Sequence, residues 1–214
     1  PMLGSYNILN ALVGIAISLK LKLPQQKTKK ALKNFDGVAR RFTKIDRINN
    51  NLFIDDYAHH PTEIDSVYDT VITNFKNKSK AVIFQPHLFS RTRDFMDDFA
   101  LVLSKFDEVY LLDIYPAREK PIHGVTSKLL LKKIQSSKKE MISKDSINEI
   151  IINSNADVIS VLGAGNITDN LNKKMKGNGM YSYVIEENPS DVKEVYIKQI
   201  GKLYSIFLRY KPSE

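Results

Sequence analysis

From residue 42 onward, short apolar runs and helical periodicities take turns along the chain. The runs at 52–54, 81–84, 109–112 and 158–162 are almost uninterrupted apolar stretches, the pattern of strands covered on both faces. Between them, 62–76, 91–105, 124–136 and 145–153 read as helices; the first carries Ile64, Val67, Tyr68, Val71 and Ile72 at helical spacing. Strand and helix in alternation predict βαβ units and a mostly parallel sheet, an α/β fold. Right-handed crossovers then place helices on both faces. Residues 139–142 add a short strand, and no internal repeat is present.

The two ends read differently. Residues 7–20 form a helix with Ile8, Leu12, Ile15, Ala16 and Leu19 on one face, and Ala11, Gly14 and Ala16 small enough for close packing. Pro24 opens a second helix carrying Ala31, Leu32 and Phe35, and Gly37 is placed to stop it. Two helices without a strand enclose no core. Residues 1–42 are therefore expected to be the tail of a domain whose body is missing. After Gly163-Ala164-Gly165 a helix is expected over 166–175, broken by Gly177-Asn178-Gly179. Beyond it, 181–184 is strand-like and 191–207 helical, with Val192, Val195, Tyr196, Ile200 and Leu203 on one face. Residues 176–214 attach to no chemistry and are left unassigned.

Composition narrows the class. The 214 residues suffice for one domain and part of a second, and 43% hydrophobic content can fill a core. No apolar run is long enough to cross a bilayer, so no membrane partner is expected. Residues 8–19 are apolar but short and lack a basic leader, so no signal peptide is expected. There is no cysteine, which excludes disulfides and thiol chemistry and is compatible with a cytoplasmic location. The net charge of +8 comes largely from lysines scattered through helical stretches, such as Lys27, Lys29, Lys30, Lys33, Lys132 and Lys133. Basic residues interleaved with aromatics, the stacking pattern of nucleic-acid grooves, are not found, and no nucleic-acid partner is expected. The lysines read as solvated faces that also attract small anions.

Reactive side chains gather where strands end. Asp55-Asp56-Tyr57-Ala58-His59-His60 follows the first run, Gln85-Pro86-His87 with Ser90-Arg91-Thr92-Arg93 the second, Asp113-Ile114-Tyr115-Pro116-Ala117-Arg118 the third, and Gly163-Ala164-Gly165-Asn166 the fourth. In a parallel sheet these ends share one edge, so all four can line one cleft. Asp56 suits a ribose diol, or equally a cap for the next helix. Tyr57 suits a base, or the core. His59 and His60 are adjacent and should point different ways, with His59 favoured for the cleft. Pro86 fixes the backbone before His87. Arg91 and Arg93 fall near a helix N-terminus, where anions are attracted, and Arg91 suits a carboxylate; either arginine also suits a surface helix. The glycines of 163–165 allow a tight turn more readily than a phosphate cradle, and no G-x-x-x-x-G-K-[ST] occurs, so the chain has no evident means of holding ATP phosphates alone.

These segments resemble the Mur ligases. The resemblance rests on Asp55-Asp56-Tyr57-Ala58-His59-His60-Pro61-Thr62-Glu63 and Phe84-Gln85-Pro86-His87 with Ser90-Arg91-Thr92-Arg93-Asp94. It also rests on Gly4-Ser5-Tyr6-Asn7-Ile8-Leu9-Asn10, Gly37-Val38-Ala39-Arg40-Arg41-Phe42, Asp113-Ile114-Tyr115-Pro116-Ala117-Arg118-Glu119 and Gly163-Ala164-Gly165-Asn166-Ile167. All six occur in the family's order and cover residues 1–175. The Asp-Asp-Tyr and Phe-Gln-Pro-His segments point to the branch that joins L-alanine to UDP-N-acetylmuramate.

The resemblance implies that residues 1–42 end a central ATP-binding domain and 43–175 form a C-terminal Rossmann-like domain. The P-loop, the Mg²⁺ ligands and the UDP-sugar domain would lie upstream. It further implies a cytoplasmic, ATP-dependent ligase of peptidoglycan precursor synthesis that works through an acyl phosphate, with this chain inactive alone. By motif position, Asn7 and Asn10 fall near the adenine, Arg41 at the phosphates or ribose, Asp56 at the ribose and Tyr57 beside the base. His59, His87 and Arg91 gather around the incoming alanine, and no catalytic group or metal ligand is assigned to this stretch. Three positions depart from the family: Tyr6 in place of His, Leu88 in place of a basic or polar residue, and Asn166 in place of Asp. Three other readings stay open: a Mur-type ligase for another amino acid or a recycled peptide, a metal-dependent hydrolase using His59, His60, His87 and His123 with Asp55, Asp56 and Asp113, and a basic binding module.

Overall fold

A computed structural model describes residues 3–48, 51–165 and 167. The expected helix at 166–175 and the tail at 176–214 lie outside the described residues. Residues up to Gly37 belong to one compact unit and those from Val38 to another.

The first unit holds two helices, α1 (Ser5–Lys20) and α2 (Gln25–Lys33). Ile8, Leu12 and Leu19, read as a packing face, are exposed, as are Leu9 and Val13. Pro24 does open α2, but the helix ends at Lys33 with Asn34 at its C-cap, earlier than Gly37 implied. Gly37 instead takes φ 101° as the last residue of the first unit before Val38, a conformation that costs glycine little.

The second unit is a six-stranded sheet: β1 (Thr43–Ile48), β2 (Asn51–Asp56), β3 (Lys80–Phe84), β4 (Glu108–Leu111), β5 (Lys138–Met141) and β6 (Val158–Leu162). The spatial order is β1-β2-β6-β3-β4-β5. All pairs are parallel except β1 with β2. Strand β6, last in the chain, slots between β2 and β3, with Ser160 level with Ile54 on one side and Val82 on the other. Strand β1 was not foreseen, because Thr43-Lys44-Ile45-Asp46-Arg47-Ile48 has no apolar run; as an antiparallel edge strand it needs none.

Helices cover both faces, as the alternation implied. Helix α5 (Met96–Leu103) lies beside both α3 (Pro61–Asn74) and α6 (Ser127–Lys133). Phe84 meets Phe99 of α5 at 5.4 Å between ring centroids. The opposite layer packs Phe53, Ala81, Ile83, Ile159 and Val161 under Ile147 and Ile151 of α7 (Ile147–Asn153). Neighbouring residues Ile83 and Phe84 thus face opposite layers, as the strand period requires. The single helix expected at 91–105 is two, α4 (Phe89–Asp94) and α5, separated by Phe95 at φ −116°, ψ 24°. The ring of Phe95 sits against His60, at 4.6 Å, which holds the break. The helix expected from 124 starts at Ser127, because the Thr126 side chain accepts from Leu129 N–H at 3.1 Å and caps it.

Candidate active site

Parallel strands bring the four polar segments to one edge. The turn at 38–42 lies across it, docked by Asp56. Asp56 is 3% exposed, and its two oxygens accept from Phe42 N–H at 2.6 Å and Ala58 N–H at 2.8 Å. Burial pushes its pKa up, against the pull of those two N–H groups and of Arg41. Tyr57 N–H donates to the Arg40 carbonyl at 2.7 Å. Arg40 donates to the Gly163 carbonyl and lies 3.5 Å from Asp55. Arg40 and Phe42 have φ of 58° and 51°, a left-handed backbone that few side chains adopt and that these contacts hold in place. The guanidinium carbons of Arg40 and Arg41 lie 5.0 and 5.8 Å from the Tyr57 ring centroid. Sequence reasoning named Arg41 and passed over Arg40, which ties the turn to β2 and β6; nothing in the pattern distinguishes the two.

The adjacent imidazoles do part. His60 caps α3: its Nδ1 accepts from Thr62 N–H at 3.4 Å, and Glu63 in return accepts from His60 N–H at 3.1 Å. His59 turns the other way. Its Nδ1 lies 2.9 Å from the Tyr57 carbonyl, and its ring meets Tyr57 at 5.2 Å and His87 at 5.7 Å. His87 stacks on Tyr115 at 5.6 Å and takes Arg91 Nη1 on Nδ1 at 3.3 Å. Arginine only donates, so Nδ1 is the acceptor and the proton of the neutral ring is on Nε2. Burial, with His59 and Arg91 beside it, holds the His87 pKa below the usual histidine range. Arg93 is exposed and pairs with Asp94 at 2.7 Å, away from this group.

The N-terminus of α4 is not open to an anion, contrary to expectation. Ser90 N–H and Oγ–H both donate to Glu119, at 2.9 and 2.5 Å. The protein's own carboxylate fills that position. Among the described residues no carboxylate forms an ion pair with Arg91.

Gln85, another residue that sequence reasoning did not single out, lies beneath the cluster. Its Nε2 donates to the Asp113 carbonyl at 3.3 Å, and its N–H to the Leu162 carbonyl at 3.0 Å. The glycine turn fits against it: a Cβ on Gly165 would lie 2.7 Å from Gln85 Oε1, and one on Gly163 3.1 Å from the Gln85 carbonyl. The glycines let the chain bend close against Gln85 and Tyr115. Among the described residues no three His, Asp or Glu side chains could hold one metal ion. The metal-hydrolase reading therefore finds no ligand set there; His123 and Asp113 are exposed. Asn7 and Asn10 lie on α1 in the other unit. Asn7 is buried and donates to the Leu3 carbonyl at 2.6 Å, and Asn10 is exposed.

Residues 40–165 match the family model described as Mur ligase, glutamate ligase domain. The chain belongs to the Mur ligase family. Among Mur ligases it is 46% identical over 173 residues to the UDP-N-acetylmuramate–L-alanine ligase of Christiangramia forsetii, covering 81% of this chain and 38% of that protein. The enzyme of the same description from Flavobacterium psychrophilum is 46% identical over 164 residues, covering 77% and 37%. The chain therefore spans about two fifths of the length of these relatives. The crystal structure of the UDP-N-acetylmuramate–alanine ligase of Thermotoga maritima superposes with a TM-score of 0.65 at 27% identity, covering 83% of this chain and 39% of that one. The sheet, mostly parallel and covered on both faces, is the α/β arrangement that the strand pattern predicted and the Rossmann-like fold that the resemblance implied.

Proposed function

We infer that the chain works as part of an ATP-dependent carboxylate–amine ligase that joins L-alanine to UDP-N-acetylmuramate in peptidoglycan precursor synthesis, in the cytoplasm. In such a reaction ATP phosphorylates the muramate carboxylate, and the amine of L-alanine attacks the acyl phosphate, forming the amide and releasing phosphate. The observation that carries the reading is the convergence of His59, His87 and Arg91 at the strand ends of a Mur ligase domain. Arg91 offers a carboxylate of the amino acid a guanidinium that no carboxylate of the described residues pairs with, and whose fork suits a bidentate contact. His87, held neutral, adds no charge to repel the ammonium end.

The nucleotide half of the reading uses Asp56 for the ribose, Tyr57 beside the base and Arg41 at the phosphates or ribose. Asn7 and Asn10 are assigned to the adenine end of ATP by motif position alone. Each Asp56 oxygen already takes one backbone N–H, so ribose hydroxyls would use the remaining lone pairs. Residues 1–42 are assigned to the end of the ATP-binding domain and 43–175 to the domain that closes over the substrates; such domains contribute positioning and exclusion of water. Mg²⁺, which offsets charge on a transferring phosphoryl group, has no ligand set among the described residues, and its ligands are assigned to the part of the relatives that this chain does not span.

The test is complementation in trans. The 214-residue chain is mixed with the N-terminal portion of a matching ligase, association is checked, and L-alanine-dependent ADP release is followed. Activity should appear only in the mixture. Arg91→Ala should raise KM for L-alanine by about 10- to 100-fold, the worth of a charged hydrogen bond. An associated mixture that stays silent, or one that prefers another amino acid, overturns the assignment.

A further inference from the structure

Glu119 has no part in the roles assigned above, yet it joins two of the loops that carry them. The loops after β3 and β4 run together past the strand ends. Tyr115 N–H donates to the Pro86 carbonyl at 2.8 Å, Leu88 N–H donates to the Tyr115 carbonyl at 2.9 Å, and His87 pairs with Tyr115 as an isolated parallel bridge. Glu119 makes the last connection. It receives Ser90 N–H and Ser90 Oγ–H, from 29 residues away. Those donors hold its carboxyl below the usual carboxylate range. The helix has no cap of its own: Leu88 precedes it at φ 74° with no side-chain acceptor.

The consequence falls on the next residue. Arg91 follows Ser90 directly, and its guanidinium meets His87, whose ring rests on Tyr115 of the same loop that carries Glu119. Two supports therefore fix the Arg91–His87 pair: the Tyr115 ring beneath His87 and the Glu119 carboxylate behind Ser90. We propose that Glu119 is a positioning residue, a clasp that sets the start of α4 and so aims Arg91 and His87 at the amino-acid substrate. It also occupies the Ser90 N–H and hydroxyl that a substrate carboxylate would otherwise seek, which leaves Arg91 as the anchor. The functional half of this proposal rests on the ligase reading; the structural half does not.

The experiment has two parts. Amide hydrogen exchange on the 214-residue chain compares the wild type with Glu119→Gln and Glu119→Ala. Leu112 N–H, bonded to the Phe84 carbonyl at 3.0 Å at the end of β4, serves as the internal standard. Ser90 should exchange at least about tenfold faster in Glu119→Ala and by an intermediate factor in Glu119→Gln, with Leu112 and the sheet unchanged. The ¹⁵N signal of His87 Nδ1 should move in step as Arg91 shifts. Unchanged Ser90 exchange, or an unmoved His87 signal, overturns the clasp. If Glu119→Ala unfolds the chain, the near-isosteric Glu119→Gln decides. In the reconstituted mixture, Glu119→Gln should raise KM for L-alanine about tenfold and leave KM for ATP alone; an equal effect on both means a general structural role and overturns the positioning role. A wild-type mixture without activity counts against the ligase reading, while exchange and the His87 signal still decide the clasp.

Discussion

Asp56 shows how a single side chain can be committed twice. Motif position marks it for a ribose, and the fold gives both of its oxygens to backbone N–H groups. Asp56→Asn keeps the shape but turns an NH₂ towards one of those donors. The loss of one charged hydrogen bond should cost about 2 kcal/mol, measured as a lower denaturation midpoint. Gly165 is constrained by space. Its substitution by alanine sets a methyl 2.7 Å from Gln85 Oε1 and 3.4 Å from the Tyr115 ring. Gln85 is pinned through Nε2 and cannot retreat freely, so Gly165→Ala should destabilise by about 1–3 kcal/mol in thermal or chemical melts. Neither effect is legible in sequence, because both depend on loops that meet only in the folded sheet.

Local signals decided most of the helices. Pro61 at the first position, with Glu63 two residues later, marks the start of α3, and the capping box confirms it. Glu63→Ala leaves His59 N–H and His60 N–H without their acceptor and should lower stability by about 1 kcal/mol, read from the melting temperature. Where local signals mislead, a tertiary contact is responsible. The break between α4 and α5 has no glycine or proline; Phe95 leaves helical geometry at the point where its ring meets His60. At the opposite edge of the sheet, Asp157 joins β6 to the entry of β3. It takes Lys78 Nζ at 2.8 Å together with Ser79 N–H and Oγ–H, which draw its pKa from 3.8 to about 2. The folded state therefore favours ionised Asp157. That contribution is whole above pH 3.8 and is lost as pH falls towards about 2. Asp157→Asn should flatten the acid dependence of the denaturation midpoint over that interval and lower stability at neutral pH.

At the scale of the whole molecule, stability centres on β3 and β6. Ile83 is fully buried between β6 and β4, under α7. Ile83→Ala should cost about 2–5 kcal/mol in a denaturant melt, with the spread set by how far the two helical layers relax. The apolar runs that predicted this core were read without any structure, because a strand covered on both faces must be apolar throughout. The alternation of strand and helix likewise fixed a parallel sheet, and with it the shared edge where Asp56, His59, His87, Arg91 and the glycine turn assemble. Chain order alone did not place β6 between β2 and β3, reveal the polar edge strand β1, or separate Arg40 from Arg41. Nor did it show that Glu119 takes the helix N-terminus that had looked open to a substrate. The difference is physical. Burial and helix capping act over a few residues and leave a periodic trace, whereas strand order, turn docking and loop-to-loop hydrogen bonds join residues far apart in sequence and exist only once the sheet has closed.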